Sequence, residues 1–156
     1  MKLVIIRGLP GAGKSTLAKK ICEQHNFEPD FYEEADKYMV DDKGEYEFNP
    51  KKLNYCHSTC LTNTTFNLKD YGFAVVANTF TTRKELLPYL ANLEEINPLA
   101  DFVREVVIVD VKSQYKSIHG VPEDKMEQMR NRWYELDLQE VRTCFPRLNI
   151  SHVVVQ

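Results

Sequence analysis

No uninterrupted apolar run in this sequence approaches the about 20 residues that a membrane-crossing helix needs, so no span is expected. Basic residues are not in excess either. Lys and Arg number 20 against 23 Asp and Glu, a net charge of −3, which argues against a protein that coats nucleic acid but leaves room for a local basic groove. The N-terminus runs at once into the strand-like Leu3-Val4-Ile5-Ile6, with no room for a secretory leader. Only four cysteines occur, Cys22, Cys56, Cys60 and Cys144, in segments of helical pattern, and they read as the reduced thiols of a cytoplasmic protein. Repeats and low-complexity tracts are absent, and no obligate protein partner is evident. What remains is 43% hydrophobic and 28% charged over 156 residues, the balance of a single globular domain spanning 1–156.

The most specific signal is Gly8-Leu9-Pro10-Gly11-Ala12-Gly13-Lys14-Ser15, which fits G-x-x-x-x-G-K-[ST] at every fixed position. A β-branched apolar run precedes it, and Leu17, Ala18 and Ile21 follow at helical spacing. Strand, glycine-rich loop and helix is the setting in which such a loop holds a nucleoside triphosphate. Glycines let backbone N–H groups turn inward, and the helix adds its positive end. Lys14 is placed to reach the β- and γ-phosphates, Ser15 to ligate Mg²⁺, and Thr16 to extend the cradle.

Downstream, strands and helices alternate. Phe31 to Ala35 reads as a second strand, and Asp42-Lys43-Gly44-Glu45 as a turn within a small excursion over Tyr38 to Phe48. Asn49-Pro50 starts a helix that Gly72 stops. Phe73 to Ala77 is a third strand, apolar throughout, and Thr82 caps a helix ended by Asn97-Pro98. Arg104 to Val109 is a fourth strand. Pro122-Glu123-Asp124 opens a helix whose stripe is Met126, Met129, Trp133 and Leu136, and Ile150 to Val155 closes the sheet. The pattern predicts a three-layer α/β fold of the phosphate-loop NTPase type, with a mostly parallel five-stranded sheet and helices on both faces.

Ligands of such sheets sit at the carboxyl ends of the strands. That rim holds Asp36, Asn78-Thr79 and the stretch from Asp110 to Gly120. Asp36 reads as a base for an acceptor hydroxyl, or as a cap on the turn before Tyr38. The polar segment around Lys112 and Lys116 reads as a cationic lid over phosphates, spanning about 110–121, or as a solvated loop.

Arg7 to Thr16, Ala35-Asp36-Lys37-Tyr38, Ala77-Asn78-Thr79-Phe80-Thr81 and His119-Gly120-Val121-Pro122 occur in that order. Together they resemble the kinase domains of the phage polynucleotide kinase family and the small phage and bacterial ATP-binding proteins related to it. The resemblance implies transfer of the γ-phosphate of ATP, with Mg²⁺, to a hydroxyl of a nucleic acid or nucleotide. The acceptor would be a 5′-hydroxyl or the hydroxymethyl group of a modified base in phage DNA, acted on in the host cytoplasm. It implies Asp36 as the base, Lys112 and Lys116 as lid cations where the family has arginines, and Ser15 with Asp36 nearby as the magnesium site. The family carries an aspartate where this chain has Asn78, and an arginine where it has Met39.

Further acceptor contacts are expected from Lys37, Tyr38, Asn78, Thr79, Arg83 and His119. Tyr38 and Phe80 could stack on a base or sit in the core. Cys56, His57 and Cys60 bring three metal-ligand types within one helical turn, but as a lone cluster they read better as core. Two other functions share these features. One is a nucleoside or nucleotide kinase with a closed acceptor pocket. The other is an ATPase or ATP-binding regulatory module that transfers to no acceptor.

Overall fold

The computed structural model describes residues 1–115 and 119–156. Four parallel strands form the sheet: β1 (Lys2–Arg7), β2 (Phe73–Asn78), β3 (Glu105–Val111) and β4 (Asn149–Val155), in the order β2-β1-β3-β4. The helices are α1 (Lys14–Gln24), α2 (Leu53–Tyr71), α3 (Arg83–Glu95), α4 (Glu123–Asn131) and α5 (Leu138–Cys144). Alternation along β1 divides the core. Leu3 and Ile5 join Val76, Ile108 and Ile150 under α2, α3 and α5, while Val4 and Ile6 join Val75, Ala77 and Val109 on the α1 side. This is the expected three-layer α/β arrangement, with helices on both faces.

The strand count differs from the expected five. Phe31 to Ala35 contributes a single bridge, Glu33 beside Val76, in which the Glu33 N–H donates to the Val75 carbonyl and the Glu33 carbonyl accepts from Ala77. Short 3₁₀ turns at Pro29–Phe31 and Ala35–Tyr38 pinch the segment on both sides. The ladder stops after Glu33 because the Ala35 N–H donates to the Asn78 side chain at 2.8 Å instead of to a strand carbonyl. The edge position is thus occupied, but by a turn-rich strap.

Local signals account for the helix boundaries. Gly13 (φ 92°) leads into α1, and Gly72 (φ 68°) closes α2 in the left-handed region that glycine enters without strain. Thr82 and Glu85 form a reciprocal capping box on α3. Helix α4 ends at Asn131, so Trp133 and Leu136 of the expected stripe lie beyond it. The excursion after Tyr38 is a rudimentary hairpin, with Val40 bridging Tyr46 and the Asp41 N–H donating to the Glu45 carbonyl at 2.8 Å. No described helix is long and apolar enough to cross a membrane.

One polar row crosses the three strands β2, β1 and β3 near their carboxyl ends. Arg7 is in register with Asn78 on one side and Asp110 on the other. Arg7 and Asp110 are 0% and 1% exposed, and their charges lie 3.6 Å apart. Arg7 also donates to the Tyr134 carbonyl at 2.7 Å and lies over the Trp133 ring at 4.1 Å, while the His152 Nε2 sits 3.2 Å from Asp110. Burial presses the Arg7 pKa down and the neighbouring Asp110 opposes it. Breaking such a pair leaves a charge uncompensated, so Arg7→Met should cost about 3–5 kcal/mol in urea unfolding, and adding Asp110→Leu should recover most of it. An unchanged midpoint in Arg7→Met would show that the pair is energetically neutral.

Candidate functional site

The segment between β1 and α1 closes on itself as a compact loop at the carboxyl edge of the sheet. Gly11 and Gly13 take positive φ, the Ala12 N–H donates to the Leu9 carbonyl at 3.1 Å, and Pro10 sets the loop's outer wall. Gly8 is required by close approach. A Cβ there would lie 2.8 Å from the Val111 carbonyl oxygen and 3.2 Å from the Ala12 Cβ. Because the first obstacle is the backbone of β3, the neighbour cannot yield cheaply.

Lys14 is the first residue of α1, and its Nζ donates to the Leu9 carbonyl at 3.0 Å. Burial lowers its pKa to about 8, with Glu34 and then Asp36 pulling the other way. Ser15 donates from Oγ to Glu34 Oε2 at 2.8 Å, and Thr16 is exposed on the next position. Burial raises the Glu34 carboxyl pKa, and the Ser15 hydrogen bond works against that rise. An ammonium, a hydroxyl and two carboxylates therefore converge at the start of α1. Glu34 was not singled out from the sequence. Its signal was a second carboxylate, Glu34, two residues before Asp36 where the strand-like run ends.

Asp36 is half-exposed and lies 3.5 Å from the His119 Nε2; Tyr46 stacks on the His119 ring at 3.8 Å. Asp36 and His119 are thus brought together. Asn78 anchors the strap through Ala35 and directs its Nδ2 to Cys60 Sγ at 3.5 Å. Tyr38 donates to the Glu33 carboxylate and accepts from Asn63 at 2.7 Å, which ties it into the strap's inner side. Lys37 donates to the Asp30 and Tyr32 carbonyls and lies over the Tyr32 ring. Arg83, the first residue of α3, pairs with Glu140 of α5 at 2.9 Å. Thr79 lines a separate cleft between α2 and α3.

Beyond β3, Lys112 is exposed with its Nζ 4.8 Å above the Trp133 ring. The following residues lean on the glycine-rich loop: the Tyr115 N–H donates to the Gly11 carbonyl at 2.6 Å and Gln114 to the Pro10 carbonyl at 3.0 Å. Lys116 lies outside the described residues. A cleft of about 220 Å³ opens here, lined by Leu9, Val111, Lys112, Arg130, Trp133 and Glu135 among others.

Cys56 and Cys60 are buried while His57 is exposed, and no group of three or more His, Cys, Asp or Glu among the described residues could hold a metal unaided. A cation at this site would need oxygen donors from a bound anion as well. Ser15 and Glu34 supply hard oxygen ligands of the kind Mg²⁺ takes.

No family model matches the chain. Among solved structures it is similar to a gluconokinase from Sinorhizobium meliloti 1021, at 14% identity over 97% of this chain and 82% of that one, with a TM-score of 0.47. It is also similar to the deoxyadenosine kinase from M. mycoides with bound dATP, at 16% identity over 99% of this chain and 91% of that one, with a TM-score of 0.42. Likenesses this loose bear neither on the chemistry nor on the substrate, which must be argued from the site.

The close approach at Gly8 can be tested. Gly8→Ala should destabilise the fold by about 1–3 kcal/mol through overpacking against β3 and weaken tripolyphosphate binding at least tenfold. A variant that melts and binds like the parent would show that the loop has slack at this position.

Proposed function

We propose that this chain is an ATP- and Mg²⁺-dependent phosphotransferase that moves the γ-phosphoryl group to an alcohol hydroxyl. The observation that carries the reading is the Ser15–Glu34 hydrogen bond beside Lys14, with Asp36 two residues further along the strap. It sets a polyphosphate cradle directly against carboxylates at the edge where α/β sheets bind ligands. In this reading the backbone N–H groups of Gly11 and of Gly13 to Thr16, with the Lys14 ammonium, hold the β- and γ-phosphates. Ser15 and Glu34 hold Mg²⁺, which supplies charge neutralisation at the transferred group when bound. Glu34 then stands in for the carboxylate that Asn78 does not provide. Asp36 accepts the proton of the attacking hydroxyl as its oxygen bonds to phosphorus, and the leaving group is ADP. Lys112 neutralises charge from the lid side, and the base of ATP lodges against Trp133 in the adjoining cleft.

Motif order supports a hydroxyl of a nucleic acid as the acceptor, in the manner of polynucleotide kinases. A smaller acceptor is favoured by a different observation. Several cations are engaged internally: Lys37 with backbone carbonyls, Lys52 with the Val40 carbonyl at 2.7 Å, Arg83 with Glu140 and Arg132 with the Thr81 hydroxyl at 2.9 Å. A phosphodiester strand would need such groups free.

Labelled-ATP transfer to 5′-hydroxyl DNA, RNA, hydroxymethyluracil DNA and free nucleosides tests the reading. Asp36→Asn should lower transfer by about 10²–10⁴-fold with ATP affinity within about twofold, whereas Lys14→Ala should weaken both. Transfer that survives Asp36→Asn removes the base from that position, and ATP turnover with no acceptor in the panel leaves only an ATPase or binding module.

The Lys14 pKa gives a second test. Burial holds it near 8, below its ordinary 10.5, so the fold gains stability as pH rises from about 8 toward 10.5. A bound polyphosphate favours the charged lysine and raises that pKa, so binding above pH 8 takes up a proton. ATP affinity should be flat below pH 7 and fall by up to about tenfold per unit above pH 8, read by fluorescence of Trp133, the single tryptophan. A flat profile to pH 10 would show that Lys14 is not the phosphate contact.

A further inference from the structure

The cleft between α2 and α3 has no part in the chemistry described so far. It measures about 240 Å³ and opens at Asn78 and Thr79, immediately past the carboxyl end of β2. Leu61, Phe80, Pro88 and Tyr89 make apolar walls, and His57, Ser58, Thr79 and Glu85 place polar groups at its edges. No lysine or arginine is among the described residues that line it.

Two independent features mark this cleft as more than a packing gap. Phe80, 3% exposed in its wall, takes φ 47°, a left-handed conformation that costs a bulky residue energy and is held only where the surroundings impose it. Such outliers collect at ligand sites. Asn78, at the cleft mouth, holds the backbone of Ala35, so a ligand there lies one side chain away from the residue preceding Asp36.

We infer that this cleft is the acceptor site, and that it takes an uncharged, nucleoside-sized alcohol rather than a phosphate-bearing strand. The inference rests on the phosphotransfer reading for its chemistry but on the cleft alone for its location. The volume lies below the about 300–1,000 Å³ of ordinary ligand clefts, which limits the occupant to a small molecule. Flat apolar walls suit a base, and the hydroxyl and imidazole groups at the edge suit its polar rim and a sugar. The carboxylate of Glu85 opposes any phosphate. With the base in the cleft, the sugar projects past Asn78, toward the strap that carries Asp36. Attack by a sugar hydroxyl on the γ-phosphorus then forms the new O–P bond while the bond to the ADP oxygen breaks, and the hydroxyl proton passes to Asp36.

Thymidine and deoxyadenosine, observed by ligand NMR in the presence of Mg²⁺ and a non-hydrolysable ATP analogue, test this directly. Ser58→Tyr fills the cleft from an exposed position on α2, where misfolding is not expected, and Thr79→Val removes one hydroxyl without changing volume. Ser58→Tyr should weaken nucleoside binding at least tenfold and Thr79→Val about threefold, with ATP-analogue affinity within twofold of the parent. Failure of both nucleosides to bind, or binding indifferent to Ser58→Tyr, overturns the inference. So does a 5′-hydroxyl oligonucleotide that displaces the nucleosides at equal nucleotide concentration. Nucleosides that bind in the cleft and receive no phosphate from ATP would keep the site and remove the phosphotransfer reading instead.

Discussion

The row Asn78–Arg7–Asp110, one residue from each of three adjacent strands, is the constraint on which the working edge depends. Below it β1, β2 and β3 are apolar on both faces apart from Lys2 and Glu105 at their starts; above it three segments of the site begin. Arg7 leads into the glycine-rich loop, Asp110 into the stretch that leans on that loop, and Asn78 into the α2–α3 cleft. Each member also faces sideways. Asn78 holds the strap at Ala35, and Arg7 holds the Tyr134 carbonyl. Buried charge is costly unless fully paired, so these positions admit few alternatives, and the loops inherit their spacing from a rigid base.

Charge is distributed unevenly along this edge. On the β3 side stand Lys112, Arg130 and Glu135 in the cleft beside Trp133, with Arg130 paired to Glu123 at 2.8 Å. On the β2 side stand Glu34, Asp36 and Glu85, with the neighbouring cations tied into internal contacts. The loop with Lys14 sits at the seam. On the proposed reading, the polyphosphate lies along the loop at this seam and the acceptor approaches from the β2 side.

Much of this was legible in the sequence where a local rule acts alone. The glycine-rich loop, the Asn49-Pro50 start, the Gly72 stop and the Thr82 cap all follow from backbone chemistry that neighbours do not override. The Phe31 to Ala35 segment was misleading because its apolar pattern is real but serves packing: Tyr32 and Ala35 are buried while only Glu33 pairs. Helix α5 gave little signal, since it has seven residues and buries only Val141. Arg7 and Asp110 defeat pattern reading altogether, because burial of a charged pair depends on register between strands about 100 residues apart. Glu34 was overshadowed by Asp36, whose position at the strand end fits the motif, while the hydroxyl it serves lies 19 residues earlier.

The contact between Lys14 and the Leu9 carbonyl has a thermodynamic consequence. The Lys14 ammonium already has an oxygen to hold within its own loop. An incoming anion trades one partner for another, so the enthalpy gained is a difference between two hydrogen bonds. The same bond ties the first residue of α1 back to the loop and so limits the ordering entropy that capture would cost. On the proposed reading, a chain of phosphates outweighs the displaced bond more readily than a lone anion does, because it meets several amides at once.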